Sequence, residues 1–292
     1  MKVTSVSLRG DWFSNIMLPW CFIGLFFAFV FVFLIAPSIF LVIQSFLGPK
    51  GLTWHYIVQL LTPQYRIAFR NSITLSLLSA CSAMVCGGGL AYIMLRPSAP
   101  SWLRSFMTSF SAVAANFAGV PLAFAFISTL GSLGYITVMF KHMGINIYGM
   151  GFSLYSIGGL TLTYSYFQIP LMLIIIMPAI EALRSQWQEA AHNLGATSIQ
   201  FWRFVAFPVL MPSLLASFLL LFGSAFSAFA TPYALTDGNI DLVTIDIANV
   251  LSGNVTSDPQ IGAALSTGMI LVMVGIMIIY SLASKRAARW RK

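Results

Sequence analysis

The sequence predicts an all-α integral membrane protein with six transmembrane helices. Charged residues make up 8% of the 292 residues and hydrophobic residues 59%, whereas about a quarter of a soluble domain is charged. So few charges cannot cover a water-soluble surface, so lipid must solvate much of the chain. Six apolar stretches have the length of about 20 residues that a helix needs to cross the hydrocarbon core. They are residues 19–43, 72–95, 106–130, 157–180, 209–230 and 261–283.

The first apolar stretch is predicted to be a retained membrane helix. At about 25 residues it is longer than the roughly 7–15 apolar residues of a secretory signal, and no small-residue cleavage site follows it. We therefore divide the chain into three parts. Residues 1–70 hold a cytoplasmic N-terminus, the first transmembrane helix and an external loop. Residues 71–284 form the membrane core, and residues 285–292 form a basic cytoplasmic tail.

The orientation follows from the distribution of lysine and arginine. With a cytoplasmic N-terminus, eleven of the fifteen basic residues fall on the cytoplasmic side of the predicted spans. The external side holds Lys50, Arg66, Arg70 and Lys141. We therefore expect both termini to be cytoplasmic. The net charge of +8 then reflects topology and contact with anionic membrane lipid, not a nucleic-acid partner.

The cytoplasmic loop 183–208 begins with a helix signal. Ser185 and Gln188 have the spacing of a capping box, with Ser185 as the N-cap. Gly195 stands where the end of a helix favours a left-handed residue. The loop is therefore predicted to open with a short helix over residues 186–194.

A second capping box, formed by Thr197 and Gln200, predicts a second short helix in the same loop. This helix should run to about residue 207. Pro208 cannot continue the backbone hydrogen bonding and marks the entry to the fifth span. The loop is thus predicted to be two short helices joined at a glycine.

Apolar side chains are more frequent in this loop than a solvated loop should expose. Either they lie on lipid headgroups or they dock on another protein. They are Trp187, Leu194, Ile199, Phe201, Trp202 and Phe204.

One segment of the loop resembles the EAA loop of the permease subunits of binding-protein-dependent ABC importers. The family pattern is Glu-Ala-Ala, three residues, Gly, nine residues, Ile, one residue, Leu-Pro. The matching residues here are Glu189, Ala190, Ala191, Gly195, Val205, Phe207 and Pro208. Val205 replaces the isoleucine and Phe207 the leucine, and both remain apolar.

This resemblance implies the type I ABC importer permease fold and a role for each matched residue. The first short helix would be the coupling helix, which seats in a groove on a cytoplasmic ATPase. Ala190 and Ala191 would allow close approach, Glu189 would supply polar contacts, and Gly195 would set the angle between the two helices. The alternative is an ordinary interfacial loop with a helix-capping glycine.

The resemblance also implies the partners. They are a cytoplasmic ABC ATPase dimer, a second permease subunit of the same or a sister chain, and a periplasmic solute-binding protein, assembled at a bacterial inner membrane. The chain has no Gly-x-x-x-x-Gly-Lys-Ser/Thr loop to cradle ATP phosphates. We therefore expect no enzymatic activity, no cofactor and no metal in this chain, with ATP hydrolysis in a partner.

The alternative function is an ion-coupled secondary transporter. Such carriers place ionisable groups near mid-membrane, where charge is costly and is kept for function. The central portions of the six predicted spans contain no Asp, Glu, Lys, Arg or His. This composition favours an external source of energy.

The substrate path is weakly marked. Asn116, Tyr166 and Gln168 are polar residues inside the spans and are candidates for lining it. The alternative is that they form hydrogen bonds between helices. Residues 116–124 and 229–233 resemble the spermidine/putrescine permease group, which grades into aminophosphonate and ferric-iron permeases. The resemblance implies a polyamine or aminophosphonate substrate.

Overall fold

The computed structural model describes residues 18–48, 51–95, 100–183, 185–253 and 259–288, and its elements are helical except for one short hairpin. In chain order the helices are α1 (Leu18–Val30), α2 (Ala36–Gln44), α3 (His55–Gln59), α4 (Pro63–Met94), α5 (Ser101–Asn116), α6 (Val120–Leu130), α7 (Tyr135–His142), α8 (Ile157–Glu181), α9 (Ser185–Asn193), α10 (Ser198–Phe201), α11 (Phe207–Ser227), α12 (Ala230–Thr236), α13 (Val243–Leu251) and α14 (Pro259–Ala288). Strands β1 (Leu47–Gly48) and β2 (Gly51–Leu52) pair antiparallel between α2 and α3.

The described residues contain six helical segments long and apolar enough to cross a membrane, which confirms the predicted number. The predicted N-terminal segment before residue 18 and the end of the basic tail after residue 288 lie outside the described residues. The six segments are Trp20–Gln44, Pro63–Met94, Val120–His142, Ile157–Glu181, Ser198–Ser227 and Pro259–Lys285.

The first span lies at the periphery. Helices α1 and α2 are joined without a break by a π-helical turn, Phe31–Ile35. No residue in the apolar window of this span is buried. Helix α2 packs against α14, so the first span touches the rest of the chain mainly along one neighbour.

The prediction of a single third span over residues 106–130 is wrong. The structure has two helices there, α5 and α6, which meet at residues 117–119. Gly119 has a φ of +77°, and Pro121 follows in the first turn of α6. Because proline has no N–H to bond the preceding turn, and because Gly119 takes an extended conformation with a positive φ that favours glycine, the helix does not continue. Helix α5 instead packs along α8, and the third apolar segment consists of α6 and α7.

The core of the bundle is formed by α4, α8 and α11. Small residues of α4 let the backbones approach closely, as is common between membrane helices. Gly87 is buried, and a β-carbon built on it would lie 2.7 Å from the carbonyl oxygen of Ile169 and 2.8 Å from Cβ of Met172. The buried apolar side chains of this region are Ala80, Ala83, Ala91, Met94, Met172, Leu173, Ile176, Met177, Leu221, Phe222 and Phe226.

A second buried region closes the end of the bundle opposite the loop 183–208. The Ser72 hydroxyl of α4 accepts a hydrogen bond from the Val243 N–H of α13 at 3.0 Å, and the Asn71 amide donates to the Asp241 carbonyl at 3.1 Å. In α13 the Asp246 carboxyl is buried, and one of its oxygens has no hydrogen-bond partner. Burial, with a smaller contribution from the negative charge of Asp241, raises the pKa of Asp246 to about 6.

We expect replacement of Gly87 by alanine to destabilise the chain, because the added methyl group must displace the backbone of α8. Overpacking of this kind costs about 1–3 kcal/mol. Gly89 lies on the same helix with no atom within 4 Å of an added β-carbon, so Gly89→Ala is the matched control. Thermal unfolding of the purified protein in detergent should show a lower midpoint for Gly87→Ala only. Equal midpoints for the two variants would contradict the close packing of α4 on α8.

Candidate coupling site

The first short helix of the loop 183–208 is α9, Ser185–Asn193. It begins at Ser185, one residue earlier than predicted, and the N-cap role of Ser185 stays a prediction. The preceding position, Arg184, lies outside the described residues. Glu189 and Ala190 are exposed on this helix and Ala191 is partly buried. Glu189 and Ala190 are therefore accessible to a partner, and Ala191 is partly so.

The predicted left-handed end of α9 is confirmed at Gly195, which has a φ of +81°. The Ala196 N–H donates to the Ala191 carbonyl and the Gly195 N–H to the His192 carbonyl, both at 2.9 Å. This is the Schellman pattern that ends many helices. These two hydrogen bonds end the helix of the EAA segment at a defined position, and the chain turns sharply there.

The second predicted capping box is also confirmed. The Thr197 N–H donates to Oε1 of Gln200 at 2.8 Å, and the Gln200 N–H donates to Oγ1 of Thr197 at 3.3 Å. Only Ala196 separates this box from the glycine that ends α9. The two helices therefore meet at a joint whose backbone is hydrogen-bonded on both sides.

The prediction that the second helix ends before Pro208 is wrong. Helix α10 continues through a π-helical turn, Trp202–Ala206, directly into α11. The Phe207 N–H bonds to the Trp202 carbonyl, five residues back. A proline in a regular helix collides with the carbonyl four residues before it, and the wider π turn relieves this conflict. The second half of the loop is therefore a continuous extension of the fifth span.

The base of the loop is fixed to the bundle at two points. Glu181 at the end of α8 forms an ion pair with Arg104 of α5. The Trp202 ring packs edge-on against the Tyr92 ring of α4, with centroids 4.5 Å apart. Sequence reasoning missed the role of Arg104 and Tyr92, because both contacts join residues that are far apart in the chain.

An apolar surface lies around the joint. Leu194 is 88% exposed, Ile199 79% and Phe204 69%. Ala191, Gly195 and Phe204 border a shallow groove of about 440 Å³. We call these five residues the coupling surface. Exposed apolar side chains of this density are typical of a protein–protein or lipid contact.

The three candidate path residues have different surroundings in the structure. The Asn116 side chain is exposed and its amide donates to the Ala112 carbonyl in its own helix. The partly exposed Tyr166 ring packs against Phe117 and Phe126 at the break between α5 and α6. Gln168 is fully buried.

The amide of Gln168 makes an interhelical contact. Its Nε2 donates to the Leu221 carbonyl of α11 at 3.1 Å. This contact matches the packing alternative. A path role for Asn116, Tyr166 and Gln168 stays a prediction.

The two segments that carry the polyamine-group resemblance are in contact. The Gly119 N–H, at the break before α6, donates to Oγ1 of Thr231 in α12 at 2.9 Å. Ala228, which ends the fifth span, accepts a hydrogen bond from Oγ1 of Thr244 at 3.2 Å. Both hydroxyls serve backbone groups at helix breaks. Sequence reasoning missed these threonines, since no local pattern distinguishes them from other polar residues.

We expect Gly195→Val to loosen the joint, although a β-carbon at this position would meet no atom within 4 Å. The cost is conformational, because a left-handed backbone costs a β-branched residue about 1–2 kcal/mol. Gly195→Asn is the matched control, since asparagine adopts this conformation more readily. Hydrogen exchange of the 185–201 backbone amides should be faster in Gly195→Val than in Gly195→Asn. Equal exchange rates in the two variants would show that the left-handed conformation of residue 195 does not control the stability of the joint.

Comparisons with known proteins are consistent with this geometry. No protein-family model matches the chain. It is 26% identical over 165 residues to the thiamine transport system permease protein ThiP of Escherichia coli, covering 56% of this chain and 30% of ThiP. It is 24% identical over 287 residues to the spermidine/putrescine transport system permease protein PotB of Haemophilus influenzae, covering 90% of this chain and 93% of PotB. The chain thus spans about 30% of the length of ThiP.

Solved structures share the fold. A bacterial ABC transporter involved in the import of the acidic polysaccharide alginate has a chain that superposes with a TM-score of 0.69 at 18% identity, covering 98% of both chains. The MetNI methionine ABC transporter gives a TM-score of 0.57 at 13% identity, covering 77% of this chain and 98% of that one. The chain is a homologue of the permease subunits of ABC importers and has their fold.

Proposed function

We propose that the chain is the transmembrane permease subunit of an ATP-driven bacterial solute importer, and that loop 183–208 couples it to a separate ATPase. One observation carries this proposal. The EAA segment forms an exposed helix whose end is hydrogen-bonded at Gly195 and whose neighbour runs unbroken into the fifth span. A force applied to α9 therefore reaches the membrane through a short, well-defined joint.

The proposed partners are a cytoplasmic ABC ATPase dimer, a second permease subunit and a periplasmic solute-binding protein. The exposed apolar residues of the coupling surface suit docking on the ATPase better than contact with water. One fold neighbour is described as the alginate transporter in complex with a periplasmic protein bound to an alginate pentasaccharide. The same kind of assembly is proposed for this chain.

The proposed orientation places both termini and the coupling surface on the cytoplasmic side of the inner membrane. The excess of lysine and arginine on that side supports it. The central portions of the predicted spans carry no Asp, Glu, Lys, Arg or His, which favours ATP over an ion gradient as the energy source. An ion-coupled secondary transporter remains the alternative.

A polyamine is the proposed substrate, with an aminophosphonate as the second candidate. Two spermidine/putrescine permeases of Haemophilus influenzae, PotB and PotC, align over nearly their whole lengths, 93% and 94%. Thiamine, sulfate and ferric permeases are among the relatives as well. The contact between Gly119 and Thr231 joins the two segments that resemble the polyamine group, which supports a shared role for them.

We expect Glu189→Lys to abolish association with the ATPase while the chain still reaches the membrane. The reason is that Glu189 is exposed on the coupling helix and its charge would be reversed at the interface. Asp241→Lys is the matched control, with an equal change in charge at an exposed position on the proposed external side. Co-purification of the ATPase with each variant is the measurement. Retention of the ATPase by Glu189→Lys would count against coupling through this helix.

We expect uptake of labelled spermidine by cells carrying the complete importer to stop when ATP is depleted and to persist when an uncoupler collapses the ion gradient at constant ATP. The physical reason is that the central portions of the predicted spans hold no Asp, Glu, Lys, Arg or His to bind a coupling ion. The opposite pattern would support the secondary transporter. Competition by excess thiamine, sulfate or 2-aminoethylphosphonate, but not by putrescine, would reject a polyamine as the substrate.

A further inference from the structure

An apolar groove with two arginines lies at the end of α4 opposite the coupling surface. The groove has a volume of about 640 Å³. Arg66 and Arg70 line it one helical turn apart, together with Leu60, Ile67 and Phe69. A groove that combines apolar walls with two cations suits an amphiphilic anion better than a neutral solute.

Both guanidinium groups are available for a ligand. Arg66 and Arg70 are both exposed. Among the described residues the ion pair found is Arg104–Glu181, so neither Arg66 nor Arg70 is paired with a carboxylate there. Asp241 approaches the neighbouring Asn71 through its backbone carbonyl without an ion pair to Arg70. Two of the four basic residues on the predicted external side thus lie in this groove. The general preference of lysine and arginine for the cytoplasmic side does not account for basic residues on the external side.

The length of α4 puts this groove at the level of the lipid headgroups. Its 32 residues extend for about 48 Å, since an α-helix rises about 1.5 Å per residue. The hydrocarbon core is about 30 Å thick and the headgroup layers add about 5–7 Å on each side. Counted from Met94 at the cytoplasmic end, Arg70 falls in the far headgroup layer and Arg66 near its outer edge, and long arginine side chains can adjust their depth.

The surroundings of the groove are those of a membrane interface. Trp54 is 70% exposed and Leu61 69%, and tryptophan at headgroup depth is typical of interfacial anchors. Ile67 is exposed between the two arginines, and Leu77 and Leu78 are exposed further along α4 toward Met94. An acyl chain could follow this apolar stripe while its headgroup meets the two cations.

We propose that Arg66 and Arg70 bind the phosphate of an anionic membrane phospholipid whose acyl chains lie on the exposed stripe of α4. Guanidinium groups bind phosphate through paired N–H donors, and the two side chains together offset the net negative charge. With cytoplasmic termini, this lipid belongs to the external leaflet. The site lies far from the coupling surface, so its test is independent of the proposed coupling.

The test uses native mass spectrometry of the purified full-length chain in micelles containing equal amounts of phosphatidylglycerol and phosphatidylcholine with the same acyl chains. The wild-type chain should retain phosphatidylglycerol preferentially. Each of R66Q and R70Q should weaken this retention about five-fold, and the double variant about twenty-five-fold. The variant R66K/R70K keeps the two positive charges but not the paired donors. Its retention of phosphatidylglycerol should lie between that of the wild-type chain and that of R66Q/R70Q. Lys141→Gln, which removes an exposed base outside the groove, should leave retention unchanged.

Other outcomes would overturn the proposal. Equal retention of phosphatidylglycerol by the wild-type chain and by both single variants would contradict the lipid site. The single variants suffice for this test if the double variant is not recovered from membranes. Displacement of the lipid by millimolar inorganic phosphate would assign the groove to free phosphate. Unchanged lipid retention together with lost binding of the periplasmic protein would assign it to an acidic protein surface.

Discussion

Inside a hydrocarbon layer an unbonded backbone N–H or C=O costs several kcal/mol, because no water is present to replace the missing partner. The helix breaks of this chain are arranged under that constraint. The Gly119 N–H at the first break is satisfied by the Thr231 hydroxyl. The Ala228 carbonyl at the end of the fifth span is satisfied by the Thr244 hydroxyl. The breaks therefore lie beside each other and beside α12 and α13, the helices that supply the hydroxyls.

Features that depend on short-range chemistry could be predicted from the sequence. The number of spans follows from the length of the apolar stretches, because the thickness of the hydrocarbon core alone sets the length that a spanning helix needs. The joint of the cytoplasmic loop follows from Gly195 and from the capping pair Thr197 and Gln200, because each partner lies within a few residues of the other. Such signals do not need knowledge of the rest of the fold.

Features that depend on neighbours could not be predicted. Pro170, Pro178 and Pro212 all lie inside unbroken helices, so the sequence does not reveal that Pro121 accompanies a break. The π turn before Pro208 likewise has no signal in the local sequence, and its Ala206 is buried in the fold. Gln168 looks like a path residue in the sequence, but its burial against α11 is set by residues more than fifty positions away.

The unbroken run from Ser198 to Ser227 has a mechanical consequence. At about 1.5 Å per residue it forms a rod of about 45 Å, longer than the hydrocarbon core it crosses. If such a rod tilts about a fulcrum inside the bilayer, its ends swing in opposite directions. A pull on the end at Ser198 would thus push on Ala228 and, through the threonine hydroxyls, on both helix breaks at once. The same stroke that closes one mouth of the bundle would open the other.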